Sequence, residues 1–289
     1  MVAELLPRCR FPPPGTPVTC GVSGGADSLA LLVLAVEAGC RVTAVHVDHG
    51  LRPGSDAEAD VVAAAAAAFG AGFRAERVVV EPGGNLEARA RAARHAVLGP
   101  RALLGHTADD QAETVLLNLL RGAGPDGLAG MRPDRRPLLA LRRHETRALC
   151  EAVGLRPVSD PSNDDRAHRR NRVRHELLPL LDDIAGRDVA ALLSRQTRLW
   201  RAVADDLDHR ADGIDPTDAA ALGSAPALVA AAAVRRWLRD CSPQRHPPDA
   251  ATVERVLAVA RGDAVATEVG GGWRVTRRRG RLRLSRGPQ

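Results

Sequence analysis

Two groups of residues in this 289-residue chain have types and spacing suited to chemistry. The first is Ser23-Gly24-Gly25-Ala26-Asp27-Ser28, which directly follows the apolar run Val18–Val22. Glycines let a backbone approach an anion closely, and the amides of a turn that opens a helix surround it. Ser23 and Ser28 add hydroxyl donors, and Asp27 is placed to hold Mg²⁺ against phosphates. The segment lacks both the P-loop lysine and the three-glycine dinucleotide fingerprint, so it is neither of those loops, and a glycine-rich βα turn with Asp27 and Ser28 as caps has the same residues. The second group is His106-Thr107-Ala108-Asp109-Asp110-Gln111-Ala112-Glu113. Thr107 and Asp110 have capping-box spacing, and acids in a first helical turn complement the dipole. That role leaves His106, Glu113 and one aspartate unexplained. On a helix Asp110 and Glu113 share a face, with His106 just upstream, which suits acid–base work and capture of a cation.

Weaker candidates accompany these groups. His46-Val47-Asp48-His49-Gly50-Leu51-Arg52 follows the second apolar run, where adenine and ribose would be gripped, with His49 as the contact. A glycine-rich loop runs from Arg121 to Gly130, and a polar loop from Val158 to Asp165. Arg170 and Arg174 lie one helical turn apart. Arg89 and Arg91 sit in an arginine-rich stretch after Asn85, where a solvated face explains them as well as a contact with phosphate.

The elements that must position these residues alternate. Strands are expected at Thr16–Val22, Arg41–Val47, Glu76–Val80, Arg101–Gly105 and Pro137–Leu141. The helices between and after them are Asp27–Ala38, one opened by Ser55 with Glu58 completing a capping box, one capped by Asn85 and running to His95, Ala108–Leu120 and His144–Val153. Strict alternation means a parallel sheet wrapped by helices, with ligands at the carboxyl ends of the strands. From Arg169 to about Arg261 the pattern is almost wholly helical, and Ala264–Ser285 reads as short strands. The expected fold is therefore α/β, a Rossmann-like parallel sheet followed by a smaller, mainly helical domain. The boundary is placed so that residues 1–185 form the first domain and 186–289 the second.

Composition bounds the partners. The net charge is +6, and every one of the 41 basic residues is an arginine. High-GC codon usage accounts for much of this, yet a surplus of guanidinium suits a polyanion. Between Trp273 and Gln289 there are seven arginines and no acid, a stretch that is either a solvated tail or a surface for an RNA backbone. Five scattered cysteines, with no C-x-x-C pair, point to a reducing cytosol. The proline-rich start has no apolar core of a signal peptide, and no run approaches the ~20 residues that a bilayer needs. A cytoplasmic protein without a membrane partner is expected, and a homodimer is compatible with everything above.

S-G-G-x-D-S after the first strand resembles the PP-loop of ATP pyrophosphatases, of the adenine nucleotide alpha hydrolase-like fold. V-D-H-G-L-R, H-x-x-D-D-Q-x-E-T, L-L-R-G-x-G-x-x-G-L-x-G-M, D-x-S-N, and R-N-x-V-R followed by L-L-P-L-L narrow the likeness. In that order, over about residues 16–181, they are similar to those of the tRNA(Ile)-lysidine synthetases. His168 departs from that family's aromatic before R-N. The resemblance implies ATP and Mg²⁺ on Ser23–Ser28, and an isoleucine tRNA with a C-A-U anticodon and free L-lysine as partners. It implies attack by the wobble cytidine's 2-oxo oxygen on the α-phosphate, with pyrophosphate leaving. The lysine ε-amine then attacks C2 and AMP leaves, which changes codon reading from AUG to AUA. A lysine amine arrives protonated, its free pKa being about 10.4, so it needs a carboxylate to bind it and a base to deprotonate it. Asp110 and Glu113 are the candidates for capture and Asp110 or His106 for the base. Arg170 and Arg174 would stabilise the AMP leaving group or close the site.

Three other readings share parts of this pattern. A tRNA thiolase shares the loop but normally needs a catalytic cysteine or an iron–sulfur C-x-x-C. A PP-loop amide synthetase lacks H-x-x-D-D-Q-x-E and usually carries or recruits an amidotransferase. An ATP-binding sensor would leave His106, Asp110 and Glu113 idle.

Overall fold

A computed structural model describes residues 1–48, 50, 56–79, 86–158, 165–241 and 248–286. The side chains of residues 56, 57, 86–88 and 91 lie outside this description, as do the expected caps Ser55 and Asn85. The chain divides into two compact units, Met1–Thr114 with Met131–Ser194, and Val115–Gly130 with Arg195–Gln289.

In the first unit a short helix α1 (Val2–Leu5) precedes β1 (Pro17–Gly21). Then follow α2 (Ala26–Glu37), β2 (Arg41–Asp48), α3 (Asp56–Ala68), β3 (Gly72–Arg77), α4 (Leu86–Leu98) and β4 (Leu103–Leu104). The four strands form a parallel sheet in the order β3-β2-β1-β4. From β1 the chain moves outward to β2 and β3, then returns to lay β4 on the other side of β1. The carboxyl ends of β1 and β4 therefore flank a topological switch point, the usual place for a ligand in an open α/β sheet. Both chemically interesting segments, one after β1 and one after β4, emerge there.

α2 explains why that crevice is firm. Leu29 through Ala35 are fully buried, so the helix is apolar on every side and runs through the core. It packs on β1, β2 and the later helix α7 (Arg143–Ala152), and Leu138, Leu141, Leu149 and Cys150 complete the cluster around it. The expected strand at Pro137–Leu141 does not form. Leu139 and Leu141 donate backbone bonds to Arg136 and Leu138 three residues back, which makes turns that drive Leu138 and Leu141 into the core. An apolar run bounded by proline looks the same in sequence whether turns or a ladder bury it. β3 lies earlier than the expected Glu76–Val80, pairing Gly72 to Arg77 with Thr43 to Asp48. Past Arg77, Val78 still donates its N–H to the Asp48 carbonyl at 2.8 Å, but Val79 is exposed.

Helix α5 (Ala108–Leu119) follows β4, then come α6 (Pro125–Leu128), α7, α8 (Arg169–Arg172), a π-helical turn Val173–Leu177 and α9 (Leu178–Ala185). The second unit holds α10 (Val189–Ala211) from Arg195 onward, α11 (Ala219–Ser224), α12 (Ala227–Cys241) and α13 (Ala250–Arg261). An antiparallel sheet β5-β6-β7 (Ala266–Gly270, Trp273–Arg278, Arg281–Arg286) completes it. Its separate core joins Leu222, Val234, Val256, Val259, Val275 and Leu282. The expected run of helices followed by short strands is what forms. Among the described residues no helix is long and apolar enough to cross a membrane.

Candidate active site

The phosphate loop is held in shape from within. Ser23 N–H donates to Ser28 Oγ at 3.1 Å, and Ser28 Oγ donates to the Gly25 carbonyl at 2.8 Å. Gly24 has φ +84, a left-handed conformation that favours glycine, and its carbonyl accepts from Val158 N–H at 3.0 Å. No side chain caps α2 at Gly25. The first amides of a twelve-residue helix are thus left for an anion, with the macrodipole behind them. Beside the loop the His46 ring is buried, with Nδ1 3.1 Å from the Val22 carbonyl.

The second segment is pressed against the first. A Cβ on Gly105 would lie 2.5 Å from the Asp27 carbonyl oxygen, so only glycine lets the chain leaving β4 pass the start of α2 this closely. Thr107 then opens α5. Its N–H donates to Asp110 Oδ2 at 2.8 Å and its hydroxyl to the same oxygen at 3.1 Å. Capping thus uses one oxygen of Asp110 and leaves Oδ1 pointing elsewhere. Asp109, its neighbour, is bound by the Arg142 fork at 3.1 and 3.0 Å and by Arg143 N–H at 2.7 Å, which ties α5 to the start of α7.

Asp27, Asp110 and Glu113 converge on three guanidinium groups. Arg143 Nη2 donates to Asp110 Oδ1 at 2.9 Å, Nη1 to Glu113 Oε1 at 3.2 Å, and Nε to Asp27 Oδ2 at 3.5 Å. Arg170 donates from Nε to Glu113 Oε2 at 2.6 Å and from Nη2 to Asp110 Oδ1 at 3.0 Å. Arg174 donates from Nε to Glu113 Oε1 at 2.7 Å. Thr146 Oγ1 donates to Asp27 Oδ1. Glu113 is 0% exposed, a position tenable for a carboxylate only with such pairing.

The pairing sets the charges. Burial pushes Asp110 up, but Arg143, Arg170 and then His106 outweigh it and hold its carboxyl at about 2. Asp27 goes the other way. Burial, and then the negative charge of Asp110, push it up to about 6, against the opposing pull of Thr146 and Arg143. Burial also opposes the charge on Arg143, yet Asp110, Glu113, Asp27 and Asp109 together raise its pKa above the ordinary value. Asp27 is therefore a carboxylate whose charge needs support against burial, beside the uncapped start of α2. One Mg²⁺ coordinated mainly by phosphate oxygens, with Asp27 as its protein ligand, fits that need. Among the described residues no set of three His, Cys, Asp or Glu side chains is placed to cage a metal.

Ser23, Gly24, Gly25, Ala26, Asp27 and Ser28 thus meet His106, Asp110, Glu113, Arg170 and Arg174 around one crevice. His49 and the side chain of Arg91 lie outside the described residues, as does the D-x-S-N segment. Arg89 sits on α4 with Nε and Nη2 buried and without a hydrogen-bond partner, and it makes none of the contacts of the cluster. Sequence reading missed Arg143 and Thr146. A signal was present, because Arg142-Arg143 open a helix, where cations oppose the dipole and need another reason to be there.

In the second unit, β6 and β7 pair Arg274 with Ser285, Thr276 with Arg283 and Arg278 with Arg281, which puts these six on one face. Arg281 is bound to Asp215, and Arg286 on the opposite face lies 5.7 Å from the Trp273 ring centre. Arg274, Arg278 and Arg283 are exposed, with no carboxylate partner among the described residues.

The PP-loop domain family matches residues 9–181, and the TilS substrate binding domain family matches residues 218–283. The tRNA(Ile)-lysidine synthase of Nocardia farcinica is 45% identical over 93% of this chain and 92% of its own. That of Salinispora tropica is 43% identical over 94% and 91%. Among solved structures, the U34-tRNA thiolase NcsA from Methanococcus maripaludis superposes with a TM-score of 0.54 at 19% identity, over 69% of this chain and 77% of its own. That likeness concerns the fold. With relatives this similar along nearly the whole length, the chain belongs to the tRNA(Ile)-lysidine synthase family.

Proposed function

We propose that the crevice between β1 and β4 carries out both halves of an ATP-driven ligation of lysine to the wobble cytidine of tRNA(Ile). ATP-dependent formation of lysidine on tRNA(Ile) is the activity of the chain. One observation carries the reading of the site. A single guanidinium, Arg143, touches Asp27 on the loop after β1 and both Asp110 and Glu113 on α5, which supports assigning nucleotide and amine to neighbouring groups.

ATP lies on Ser23–Ser28, its phosphates on the uncapped amides of α2. Bound Mg²⁺ supplies charge neutralisation beside Asp27. The cytidine leaves its stack, and its 2-oxo oxygen attacks the α-phosphate as pyrophosphate departs. The lysine ammonium is captured by Asp110 and Glu113. Asp110 or His106, side by side at the start of α5, takes the proton. The amine attacks C2 and AMP leaves, with Arg170 and Arg174 stabilising its charge. His49 would contact the nucleotide. We assign catalysis to residues 1–185 and tRNA holding to 186–289, where the exposed arginines of the C-terminal sheet face the RNA backbone, with Arg89 and Arg91 as further contacts. The compartment we propose is the cytoplasm.

The test is incubation of the pure chain with ATP, Mg²⁺, labelled lysine and unmodified isoleucine tRNA bearing C-A-U, with a C-A-U methionine tRNA as control. Label in the isoleucine tRNA alone supports the reading. Pyrophosphate release that depends on tRNA, without label, keeps the adenylation and discards lysine as the nucleophile.

A further inference from the structure

Arg143 is a fork whose three nitrogens meet three different carboxylates: Nε meets Asp27, Nη2 meets Asp110 and Nη1 meets Glu113. Around it the charges are matched. Arg143, Arg170 and Arg174 face Asp27, Asp110 and Glu113, all but Arg170 less than a quarter exposed. An ammonium entering this cluster would be a fourth cation on three acids, and each acid oxygen is already engaged by an arginine, Thr146 or Thr107. A bound amine therefore needs one arginine to leave. Arg143 alone of the three also reaches the phosphate loop, through Asp27.

We infer that Arg143 is a positioning residue that couples the two substrates: nucleotide phosphate draws it off Asp110 and Glu113, and only then do these carboxylates accept a primary ammonium. Phosphate is the stronger partner for a guanidinium fork, offering charge and bidentate geometry together. Once Arg143 has turned to it, Asp110 keeps Arg170 and its helix-capping bonds, Glu113 keeps Arg170 and Arg174, and the pair lacks one cation. A lysine ammonium supplies it. The order of binding is then nucleotide before amine. By linkage, amine tightens nucleotide by the same factor as nucleotide tightens amine. The inference rests on the reading above in which Asp110 and Glu113 hold the amine.

The experiment measures L-lysine binding to the full chain by calorimetry without tRNA, with and without Mg²⁺ and α,β-methylene ATP, which cannot be cleaved at the reacting bond. The expected result is at least about tenfold tighter lysine binding with the analogue, well inside the usual range of coupling between sites. Equal affinity in the two conditions overturns the inference. Arg143→Gln separates coupling from mere support of the fold. Without its charge the acids lack a cation in the empty enzyme, so lysine should bind the nucleotide-free variant several-fold more tightly than wild type. The effect of the analogue should shrink below about twofold. Weaker lysine binding in both conditions overturns the inference. Arg143→Lys, a point charge unable to serve three acids, should keep the fold and lose most of the coupling, and wild-type coupling in it is equally fatal. Asp110→Asn separates this inference from its premise. Undiminished lysine binding there rejects the amine site, whereas loss of lysine binding there, with no nucleotide effect in wild type, rejects the coupling alone.

Discussion

Arg143, Arg170 and Arg174 are sunk among Asp27, Asp110 and Glu113, whereas Arg274, Arg278 and Arg283 stand exposed on a sheet face, in no ion pair among the described residues. The residue type is the same and the physics differs. In the first unit desolvation makes each pairing obligatory, because a buried charge that loses its partner costs several kcal/mol. In the second, water already satisfies the guanidinium groups, and what remains is a long-range field that salt screens. Basicity alone therefore says little about function in a chain whose only cationic long side chain is arginine. Burial and partners sort the arginines into those that build a site and those free to meet a polyanion.

Four variants break or sharpen this contrast. The largest effect is expected from Glu113→Ala, which strands three guanidinium groups around an empty space. Unfolding in urea should show a loss of about 3–5 kcal/mol, and a loss below about 1 kcal/mol would mean the cluster opens to water at little cost. Next is Gly105→Ala. With the Asp27 carbonyl only 2.5 Å from the new Cβ, the strand end or α2 must shift. Destabilisation of about 1–3 kcal/mol and a severe loss of tRNA-dependent pyrophosphate release are expected, whereas wild-type kinetics would show that the contact has slack.

Asp249→Ala probes an acid in the second unit that is paired but exposed. Asp249 caps α13, its carboxylate accepting from Thr252 N–H at 2.7 Å, and removal should cost about 1 kcal/mol. Thr252 holds this carboxyl below its ordinary value of 3.8. The cap is therefore at full strength above that value and is lost as pH falls through the lowered one. The difference between wild type and variant, followed by chemical unfolding from neutral pH into acid, should close on the acid side, and a constant gap would contradict this assignment. The smallest effect on stability, within about 0.5 kcal/mol, belongs to Arg274, Arg278 and Arg283 changed together to alanine. Their signature lies in binding: the slope of log affinity for tRNA against log salt should flatten by about 2–3. An unchanged slope would take this sheet face out of the RNA interface.

Much of this was legible in the sequence because it is local. Ser23–Ser28 follows a strand and opens a helix within one short segment, and His106 to Glu113 spans just over two helical turns, so spacing alone placed each group. The α/β alternation was equally readable, since the strands alternate with amphipathic or wholly apolar helices. What the sequence hid is contact across long separations. Arg143 lies 116 residues from Asp27 and 30 from Glu113, and no periodicity links them. Pro137–Leu141 misled for a related reason, because Leu138 and Leu141 are buried by turns and not by a ladder. Local spacing also put Asp110 forward for amine capture or as a base, without showing the distant Arg143 and Arg170 that hold its charge.

The π-helical turn Val173–Leu177 has an implication for how this chain tolerates change in length. Arg170 lies before it and Arg174 within it, and both reach Glu113, while Val173 and Leu178 are buried. Such a turn is the trace of one extra residue in an α-helix. Deleting a residue there would regularise the backbone ladder and would look harmless by helical propensity. It would also rotate everything upstream by about 100° relative to everything downstream, which is one residue's share of the 3.6 in a turn. With a deletion between Arg174 and Leu178, Arg170, Val173 and Arg174 could not keep their present directions while Leu178 kept its own. A locally imperfect helix is thus the condition for two surfaces of one segment to be right at once, and the reading frame of this stretch is constrained more tightly than its residue identities.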